Sequence, residues 1–480
     1  TTNLVTGIAT AYADSVPLIA LTGQVAAGSL GLGAFQEVDA YSLLMPITKH
    51  SYRVLDVSRL PHAVSEAWEI CRMGRKGPVH IDLPVDQINS EIDEEILKEE
   101  YGVKPLTEDL SGINEAVKWI RESKRPVILV GGGAMDASEE VMRFAKLTGA
   151  PVETTLMGMG AVPSSYGMNL GPLGLHGRMC AITATREADL IISIGSRFSD
   201  RTYSAHDRME CRDAKVIHID IDPTEFGKHG HPCVNILSDA KKALTRLICA
   251  LGNRIPDISG WKRTVLSYKE RCTCRTDSDS VPVSPRRVMK ELGEIIDDGT
   301  IVTTDVGQNQ MWAMHYLKIE KPRQFISSGT FGTMGFGLPS AIGAKAALPD
   351  KNVITVTGDG GFQMVIQELS TSVTEDLPVT VVLLNNGVLG MVRQMQKHYR
   401  GKRYSGVDLG DKTDFVTVAK GFGAVGVRID KPSELRDAIK EAAGSGRTTV
   451  IEIKTDAEAD ILPMLPADPS IPIIKDGCCF

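Results

Sequence analysis

The chain has 480 residues, of which 42% are hydrophobic and 24% charged, and its formal net charge is −7. This length accommodates about three domains that each bury a core, which excludes a small disulfide-stapled module, and the charge gives no indication of nucleic-acid binding. No apolar run is long enough to cross a bilayer, and an odd number of scattered cysteines, nine in all, is typical of a reducing cytosol.

The first block of the chain alternates helical and strand patterns. Helices are predicted over residues 4–13 and 63–73, and buried strands over residues 17–22 and 78–83. The charged run 90–104 that follows is typical of a linker. These elements predict a first domain, which we place at residues 1–92.

The second block begins with a predicted helix over residues 113–122. Its predicted strands span residues 126–130, 190–194 and 216–221. The stretch 253–285 contains two cysteines and three prolines and is predicted to be a second linker. We therefore place a second domain at residues 110–255.

The third block is the most regular, with a predicted helix over residues 362–374. Its predicted strands span residues 300–304, 353–357, 379–384 and 449–453. Continuous Val, Ile and Leu runs of this kind are typical of parallel strands that are buried on both faces. The block predicts a third domain at 283–455 and a tail at 456–480, and the whole chain is predicted to be α/β, with three doubly wound parallel-sheet domains.

Two neighbouring strands of the third block end in residues suited to phosphate and cation binding. The residues that follow these strands are Gly358, Asp359, Gly360 and Gly361 in one case, and Asn385 and Asn386 in the other. Each group alone is common in turns, but in a βαβ unit both strand ends reach the same sheet edge. Asp359, Asn386 and the Val388 carbonyl then form an oxygen set suited to Mg²⁺ and a diphosphate.

The second block carries a weaker, separate signal for a nucleotide. Its strands end in glycines, arginines and one carboxylate: Gly131, Gly132 and Gly133, then Gly195, Arg197 and Arg201, then Asp220. Glycines and arginines suit phosphate, and a carboxylate suits a ribose or an adenine, although a surface arginine pair is the plainer alternative. The pattern favours a nucleotide-bearing cofactor.

Taken together, these motifs resemble the thiamine-diphosphate enzymes, and within them the acetohydroxyacid synthase (acetolactate synthase) large subunits. The diphosphate motif is Gly358-Asp359-Gly360 followed by Asn385-Asn386. The other resembling segments are residues 22–25, 34–37, 77–79, 82–84, 329–335, 389–392 and 463–466. They extend from the first residues to the tail, so the resemblance covers essentially the whole chain.

The resemblance implies an enzyme that decarboxylates pyruvate and transfers the hydroxyethyl unit to pyruvate or 2-ketobutyrate, in valine, isoleucine and leucine biosynthesis. It implies pyrimidine-binding, central FAD-binding and diphosphate-binding domains, with Mg²⁺ as a further cofactor. The implied thiamine diphosphate contacts are Val306, Gly307, Gln308, Gly332, Met334, Gly358, Asp359, Gly360, Gly361, Asn386, Val388, Gly390, Met391 and Val392. Met334 is expected beneath the thiazolium ring, where it holds the cofactor bent.

The same resemblance assigns flavin and substrate contacts. The implied FAD contacts are Arg75, Gly131, Gly132, Gly133, Thr155, Leu156, His176, Gly177, Gly195, Arg197, Arg201, Asp220 and Asp239. Phe35 and Gln36 are expected at the substrate channel and, with Met334, in the catalytic set. Met395 stands where the family commonly has a Trp that reads the extra methyl group of 2-ketobutyrate, so a weaker preference for that substrate is expected.

One family feature is expected before the first residue of this sequence. The glutamate that bonds the aminopyrimidine ring and drives its proton shuffle lies, in the family, upstream of the segment matching Thr1-Thr2-Asn3. The first domain is therefore expected to be truncated. The alternatives are another thiamine-dependent 2-ketoacid decarboxylase or oxidase, or a cofactor-binding pseudoenzyme.

The resemblance also implies partners and a location. It implies a homodimer or homotetramer with the cofactor at the subunit interface, and a small regulatory subunit. The substrates are expected to be 2-ketoacids, the location cytoplasmic, and no nucleic-acid or membrane partner is expected.

Overall fold

The structure, a computed structural model, describes residues 1–93, 95–96, 107–203, 211, 213–228, 230–466, 468 and 470–475. The chain forms two compact units. One comprises Thr1–Glu108 with Ser328–Thr333, and the other comprises Asp109–Ser327 with Met334–Phe480. Among the helices of the described residues, none has the length and apolar character needed to span a bilayer.

The first unit is built on a three-stranded parallel sheet. Its strands are β1 (Leu18–Gln24), β2 (His50–Arg53) and β3 (Pro78–Pro84), and its helices are α1 (Val5–Ala13), α2 (Ala40–Leu44), α3 (Leu60–Arg72) and α4 (Val85–Ile88). The strand order is β1-β3-β2, with Leu18 opposite Pro78. Helix α3 covers this sheet, because Ala67 and Cys71 belong to the same buried cluster as Ile81.

The second unit contains two six-stranded parallel sheets, and the first of them has the order β6-β5-β4-β7-β8-β9. Its strands are β4 (Pro126–Val130), β5 (Val152–Thr154), β6 (Asn169–Pro172), β7 (Leu190–Ile194), β8 (Lys215–Asp220) and β9 (Cys233–Leu237). Its helices are α5 (Ile113–Glu122), α6 (Ser138–Thr148), α7 (Met179–Glu187), α8 (Ala240–Leu251) and α9 (Ser259–Arg271). Strands β4 and β7 are buried along their whole length, which explains their uninterrupted apolar sequences.

The second of these sheets has the order β11-β10-β12-β13-β15-β14. Its strands are β10 (Thr300–Thr304), β11 (Phe325–Ser327), β12 (Asn352–Gly358), β13 (Thr380–Asn385), β14 (Val425–Ile429) and β15 (Thr449–Lys454). Its helices are α10 (Pro285–Gly293), α11 (Gln308–Tyr316), α12 (Gly337–Ala347), α13 (Asp359–Val365), α14 (Glu368–Thr374), α15 (Gly390–Tyr399), α16 (Phe415–Gly421) and α17 (Leu435–Gly444). All neighbouring strands run parallel, so their carboxyl ends meet at one edge.

The predicted fold class is confirmed, since three parallel sheets with intervening helices are present. Two of these sheets lie within one compact unit. The predicted domain limits 1–92, 110–255 and 283–455 stay predictions.

Two local predictions are wrong. The stretch 253–285 is not only a linker, because α9 occupies Ser259–Arg271 and buries Trp261 and Val265. Trp261 Nε1 also donates a hydrogen bond to Pro126 O at 3.0 Å, which ties this helix to β4. The single helix predicted over 362–374 is the pair α13 and α14.

The predicted linker 90–104 falls mostly outside the described residues, which omit 94 and 97–106.

Candidate active site

The carboxyl edge of the sheet β10–β15 brings two predicted binding residues together. Asp359 is the first residue of α13, directly after β12, and Asn386 follows β13. Asp359 Oδ2 accepts a hydrogen bond from Gly387 N at 2.8 Å, so the two strand ends are joined directly. The contact arises because β12 and β13 are adjacent parallel strands.

The oxygen atoms at this edge fit a hard divalent cation. Burial raises the pKa of Asp359 to about 6, because the ionised carboxylate is desolvated there. Asn386 Oδ1 accepts a hydrogen bond from Val388 N at 3.1 Å, which orients the amide oxygen within the same loop. A bound Mg²⁺ would favour the ionised form of Asp359 and take oxygens of this type as ligands.

Gln308 presents a buried oxygen to the same edge. Its Nε2 donates to Gln394 Oε1 at 2.8 Å and to Ala459 O at 2.9 Å, which fixes the orientation of the amide. Its Oε1 is buried and accepts no hydrogen bond from the described residues. A Cβ placed on Gly390 would lie 2.1 Å from this oxygen, so a larger residue there would displace the Gln308 amide. An orphaned acceptor in this position is suited to a donor group of a bound cofactor or to a metal-bound water.

Met334 forms an apolar surface beside the glycines of the diphosphate motif. A Cβ on Gly360 would lie 3.5 Å from Met334 Cε and 2.8 Å from Leu389 Cδ2, so the three residues are in close contact. The Met334 side chain remains 36% exposed. The residue can therefore support a ring that lies over it, as the resemblance implies.

Asp305 was missed by the sequence analysis, although it holds this edge together. It follows β10 and is completely buried. Its Oδ1 accepts from Val306 N at 2.8 Å and Gly335 N at 3.0 Å, and its Oδ2 accepts from Gly337 N at 3.0 Å. A Cβ on Gly361 would lie 2.2 Å from Asp305 Oδ1. The only sequence signal was a carboxylate directly after a buried strand.

The remaining predicted thiamine and substrate residues of the second unit surround this edge. Gly307 has φ 138° and caps α11. Gly358 lies near the side-chain amide of Asn309. The Nδ2 atom of that amide donates to Asp305 O at 2.8 Å. Met391, Val392 and Met395 lie on α15, where Val392 is 45% exposed. Gly332, with φ 68°, belongs to the first unit.

The predicted catalytic pair Phe35 and Gln36 lies on an exposed loop of the first unit. Phe35 is 88% exposed, and Gln36 has φ 61°, a left-handed backbone conformation that non-glycine residues seldom adopt. Glu37 holds the loop by accepting hydrogen bonds from Gly31 N and from Ala34 N. These backbone hydrogen bonds keep the pKa of Glu37 low and fix the conformation that presents Phe35.

The second predicted site lies at the carboxyl edge of the sheet β4–β9. The loops after β4 and β7 touch, because Gly133 N donates to Gly195 O at 3.1 Å. A Cβ on Gly131 would lie 2.1 Å from Gly195 O, and Gly195 itself has φ 58°. These glycines allow the two loops to pack backbone against backbone, and the N–H groups of Gly131, Gly133 and Gly195 donate to backbone carbonyls there.

A further loop completes this glycine-lined edge. Thr155 Oγ1 accepts from Gly158 N at 3.0 Å, and a Cβ on Gly158 would lie 2.1 Å from Val130 O. Gly177 is equally crowded, because its Cβ would lie 2.6 Å from Pro172 O. Leu156 packs against the core below the sheet β10–β15.

His176 is neutral under ordinary conditions. Burial lowers its pKa to about 4, and its Nδ1 lies 3.3 Å from Pro463 O. The residue can therefore pack against a ligand as an uncharged ring.

The polar residues predicted to bind FAD differ in their hydrogen-bond partners. Burial raises the pKa of Asp220 to about 6, and its Oδ1 accepts from Asp222 N at 3.0 Å. Asp239 Oδ1 instead caps α8 by accepting from Lys241 N at 3.0 Å, a structural role that accounts for this residue. Ser196, which the sequence analysis missed, has a buried hydroxyl with no partner among the described residues.

The arginines predicted for FAD also differ in their surroundings. Arg201 has a largely exposed side chain with Asp200 as its neighbour at 3.7 Å. Arg197 is half-buried directly after the Gly195 loop. Arg75 belongs to the first unit, where its Nε donates to Ser15 Oγ at 3.0 Å.

Comparisons with known families match three segments of the chain. Residues 305–453 match the C-terminal TPP-binding domain of thiamine pyrophosphate enzymes. Residues 113–247 match the central domain of these enzymes, and residues 1–43 match their N-terminal TPP-binding domain.

Individual relatives are similar over nearly the whole chain. The chain is 46% identical to the probable acetolactate synthase large subunit of Methanocaldococcus jannaschii, with 97% of this chain and 81% of that protein covered. It is 42% identical to the acetolactate synthase large subunit of Corynebacterium glutamicum, over 98% of this chain and 77% of that protein. It is 39% identical to acetolactate synthase 3, chloroplastic, of Brassica napus, with 97% of this chain and 74% of that protein covered. The chain belongs to the acetolactate synthase large-subunit family of thiamine pyrophosphate enzymes.

Proposed function

We propose that this chain is the catalytic subunit of an acetolactate synthase in the biosynthesis of valine, isoleucine and leucine. It decarboxylates pyruvate and transfers the resulting two-carbon unit to a second 2-ketoacid, either pyruvate or 2-ketobutyrate. The proposal rests on the hydrogen bond from Gly387 N, after β13, to the Asp359 carboxylate, after β12. Both residues lie in the segment that matches the C-terminal TPP-binding domain. The names of the relatives support the reaction.

Thiamine diphosphate, when bound, supplies the electron sink that decarboxylation of a 2-ketoacid requires. The residues of this chain bind and orient it. Asp359 and Asn386 would hold Mg²⁺ against the diphosphate, and Met334 would support the ring. Phe35 and Gln36 are proposed to act on the substrate, and Glu37 holds their loop in one conformation.

We further propose that the sheet β4–β9 binds FAD. The close approach of the loops at Gly131 and Gly195 supports a phosphate chain at this edge, and the buried Ser196 hydroxyl and Asp220 carboxyl offer polar contacts to the rest of the molecule. Arg197 adds positive charge beside the same loop. Asp239, whose carboxylate also caps α8, stays a predicted contact of this set.

A homodimer or homotetramer and a small regulatory subunit belong to the proposal. Relatives that are named large subunits support the regulatory subunit. A cytoplasmic location is proposed from the cysteines, since those among the described residues are free thiols.

The test is acetolactate formation from pyruvate together with retention of thiamine diphosphate on the protein. Asp359→Asn is expected to lower both the turnover and the cofactor affinity by about 100-fold, because it removes the charged metal ligand. Asp350→Asn is the matched control, because Asp350 lies in the turn before β12 at the opposite edge of the sheet. Undiminished cofactor retention in Asp359→Asn would contradict the proposal. Acetaldehyde, or oxygen-dependent acetate, as the main product would favour a decarboxylase or an oxidase.

A further inference from the structure

A cavity of about 320 Å³ lies beside β6, the edge strand of its sheet. Its walls include Asn169 and Pro172 of β6, Lys269 of α9 and His315 of α11. Arg178, directly before α7, also lines it. All of these residues belong to the second compact unit. The volume is in the range of small-molecule sites.

The cavity neighbours the flavin edge proposed above but is lined by different residues. It is bounded by Thr154 at the end of β5 and by Pro172 at the end of β6, and its lining residue His315 lies 3.4 Å from His176 O. None of the residues proposed to contact FAD lines the cavity. An occupant of this cavity would therefore contact a different set of side chains from those proposed for FAD.

Three cations line this cavity, namely Arg178, Lys269 and Lys318, and the first two are anchored by backbone carbonyls. Arg178 Nη2 donates to Cys272 O at 3.3 Å, and Lys269 Nζ donates to Gly167 O at 2.9 Å. Neither side chain forms an ion pair with any carboxylate of the described residues. The Arg178 side chain also packs over Gly171, where an added Cβ would lie 2.7 Å from Arg178 Cδ. Both cations are therefore held in place by neutral groups.

The positive charge of Arg178 lowers the pKa values of neighbouring titratable groups. Burial lowers the pKa of Lys269, and the nearby Arg178 lowers it further. Burial lowers the pKa of His315 to about 4, with Arg178 acting in the same direction, so His315 adds no positive charge at neutral pH. The interaction with Cys180 lowers the pKa of Cys272, and the positive charge of Arg178 acts in the same direction.

We propose that this cavity binds a compact phosphate-bearing anion between the Arg178 guanidinium and the Lys269 ammonium. Arginine suits the phosphate group because its N–H donors match two phosphate oxygens, and lysine adds a point charge. The anion would relieve the repulsion between two partly desolvated cations. The volume leaves room for a small organic group on the phosphate, so free phosphate and a phosphomonoester are the two sources to compare.

The experiment uses the enzyme saturated with thiamine diphosphate, Mg²⁺ and FAD, so that the two cofactor sites cannot take up phosphate. Inorganic phosphate is titrated at constant ionic strength, and binding is measured by calorimetry and by the rise in Tm. Arg178→Gln and Lys269→Gln are each expected to weaken phosphate binding by about tenfold or more, the effect of losing a charge-assisted hydrogen bond. Lys412→Gln, at an exposed loop cation that does not line the cavity, is the control and is expected to bind phosphate as the unchanged enzyme does.

The outcomes separate the alternatives. Equal phosphate affinity in the unchanged enzyme, Arg178→Gln and Lys269→Gln would overturn the proposal, as would the same rise in Tm with chloride alone. If Arg178→Gln fails to fold, Arg178→Lys replaces it and is expected to keep the charge while losing part of the affinity. A second titration with glycerol 3-phosphate distinguishes the sources, since tighter binding than phosphate indicates a phosphomonoester and equal binding indicates the free ion. The result does not depend on the reaction that the enzyme catalyses.

Discussion

Asp305 accepts a hydrogen bond from Gly335 N at 3.0 Å, and this bond ties the end of β10 to the residue that follows Met334. The same carboxylate accepts from Val306 N and Gly337 N. A fully buried carboxylate is costly unless such donors compensate it, and here backbone groups do so. Asp305 is therefore a positioning residue for the proposed thiamine diphosphate site.

Asp305→Asn should weaken thiamine diphosphate binding while leaving most of the fold intact. An amide keeps one acceptor oxygen but turns an NH₂ group toward one of the backbone donors, which leaves a buried donor unsatisfied at a cost of about 1–3 kcal/mol. We expect the Kd of the cofactor to rise by about tenfold or more. Cofactor titration followed by activity and by tryptophan fluorescence measures it.

Asp297→Asn is the matched control for this substitution. Asp297 accepts from Gly299 N at 2.9 Å at the other end of β10, so it makes a similar backbone contact away from the proposed site. It should leave the cofactor Kd unchanged. Equal effects of the two substitutions would show that Asp305 acts only on stability.

Gly361→Ala should also lower the affinity for thiamine diphosphate. The added Cβ would lie 2.2 Å from Asp305 Oδ1, so either the carboxylate or the first turn of α13 must move. Gly343→Ala is the control, because the position lies within α12 and has open space around it. It should leave the affinity unchanged and stabilise the fold by about 0.5–1 kcal/mol, as removal of a helical glycine does. The prediction fails if both substitutions leave the cofactor Kd as it is.

The sequence indicated some parts of these sites more clearly than others. The placement of Asp359 and Asn386 at one edge was predictable, because it follows from the order of strand, helix and strand in a parallel sheet. The role of Asp305 was not predictable, because it depends on the backbone N–H groups of Gly335 and Gly337, about thirty residues away. No motif spacing records such a contact. Helix α9 was missed because its surface is polar, although Trp261 and Val265 lie four residues apart on one helical face.

Gly131→Ala should remove the flavin while sparing the thiamine site. The new Cβ would lie 2.1 Å from Gly195 O, which is backbone and cannot move aside easily. We expect purified protein to lose most of its absorbance near 450 nm, with the Kd for thiamine diphosphate unchanged. Gly167→Ala, at an open position in the same domain, is expected to retain the flavin. Flavin retention in Gly131→Ala would place the flavin elsewhere.

Asp220→Asn should stabilise the flavin-free protein above pH 6 and weaken flavin binding. Burial raises the pKa of Asp220 from 3.8 to about 6, so ionisation at neutral pH costs about 3 kcal/mol of folding free energy. The amide removes that cost and keeps an oxygen to accept from Asp222 N. The gain in unfolding free energy should therefore shrink as the pH falls from 6 to 4, because the native carboxyl then binds its proton. Chemical denaturation at several pH values measures this, and a gain independent of pH would contradict it.

Met395→Trp should raise the preference for 2-ketobutyrate over pyruvate as the second substrate. Met395 lies half-buried on α15, and its flexible thioether adapts to either substrate, whereas a rigid indole presents one apolar surface to the extra methyl group. One methylene is worth about 1–3 kcal/mol in such a pocket, so the product ratio should shift by about 10-fold or more. Competition between the two acceptors, with acetohydroxybutyrate and acetolactate measured together, gives the ratio. Met364→Trp, at an exposed position on α13, controls for the added bulk and should leave the ratio unchanged. An unaltered ratio in Met395→Trp would exclude Met395 from the acceptor pocket.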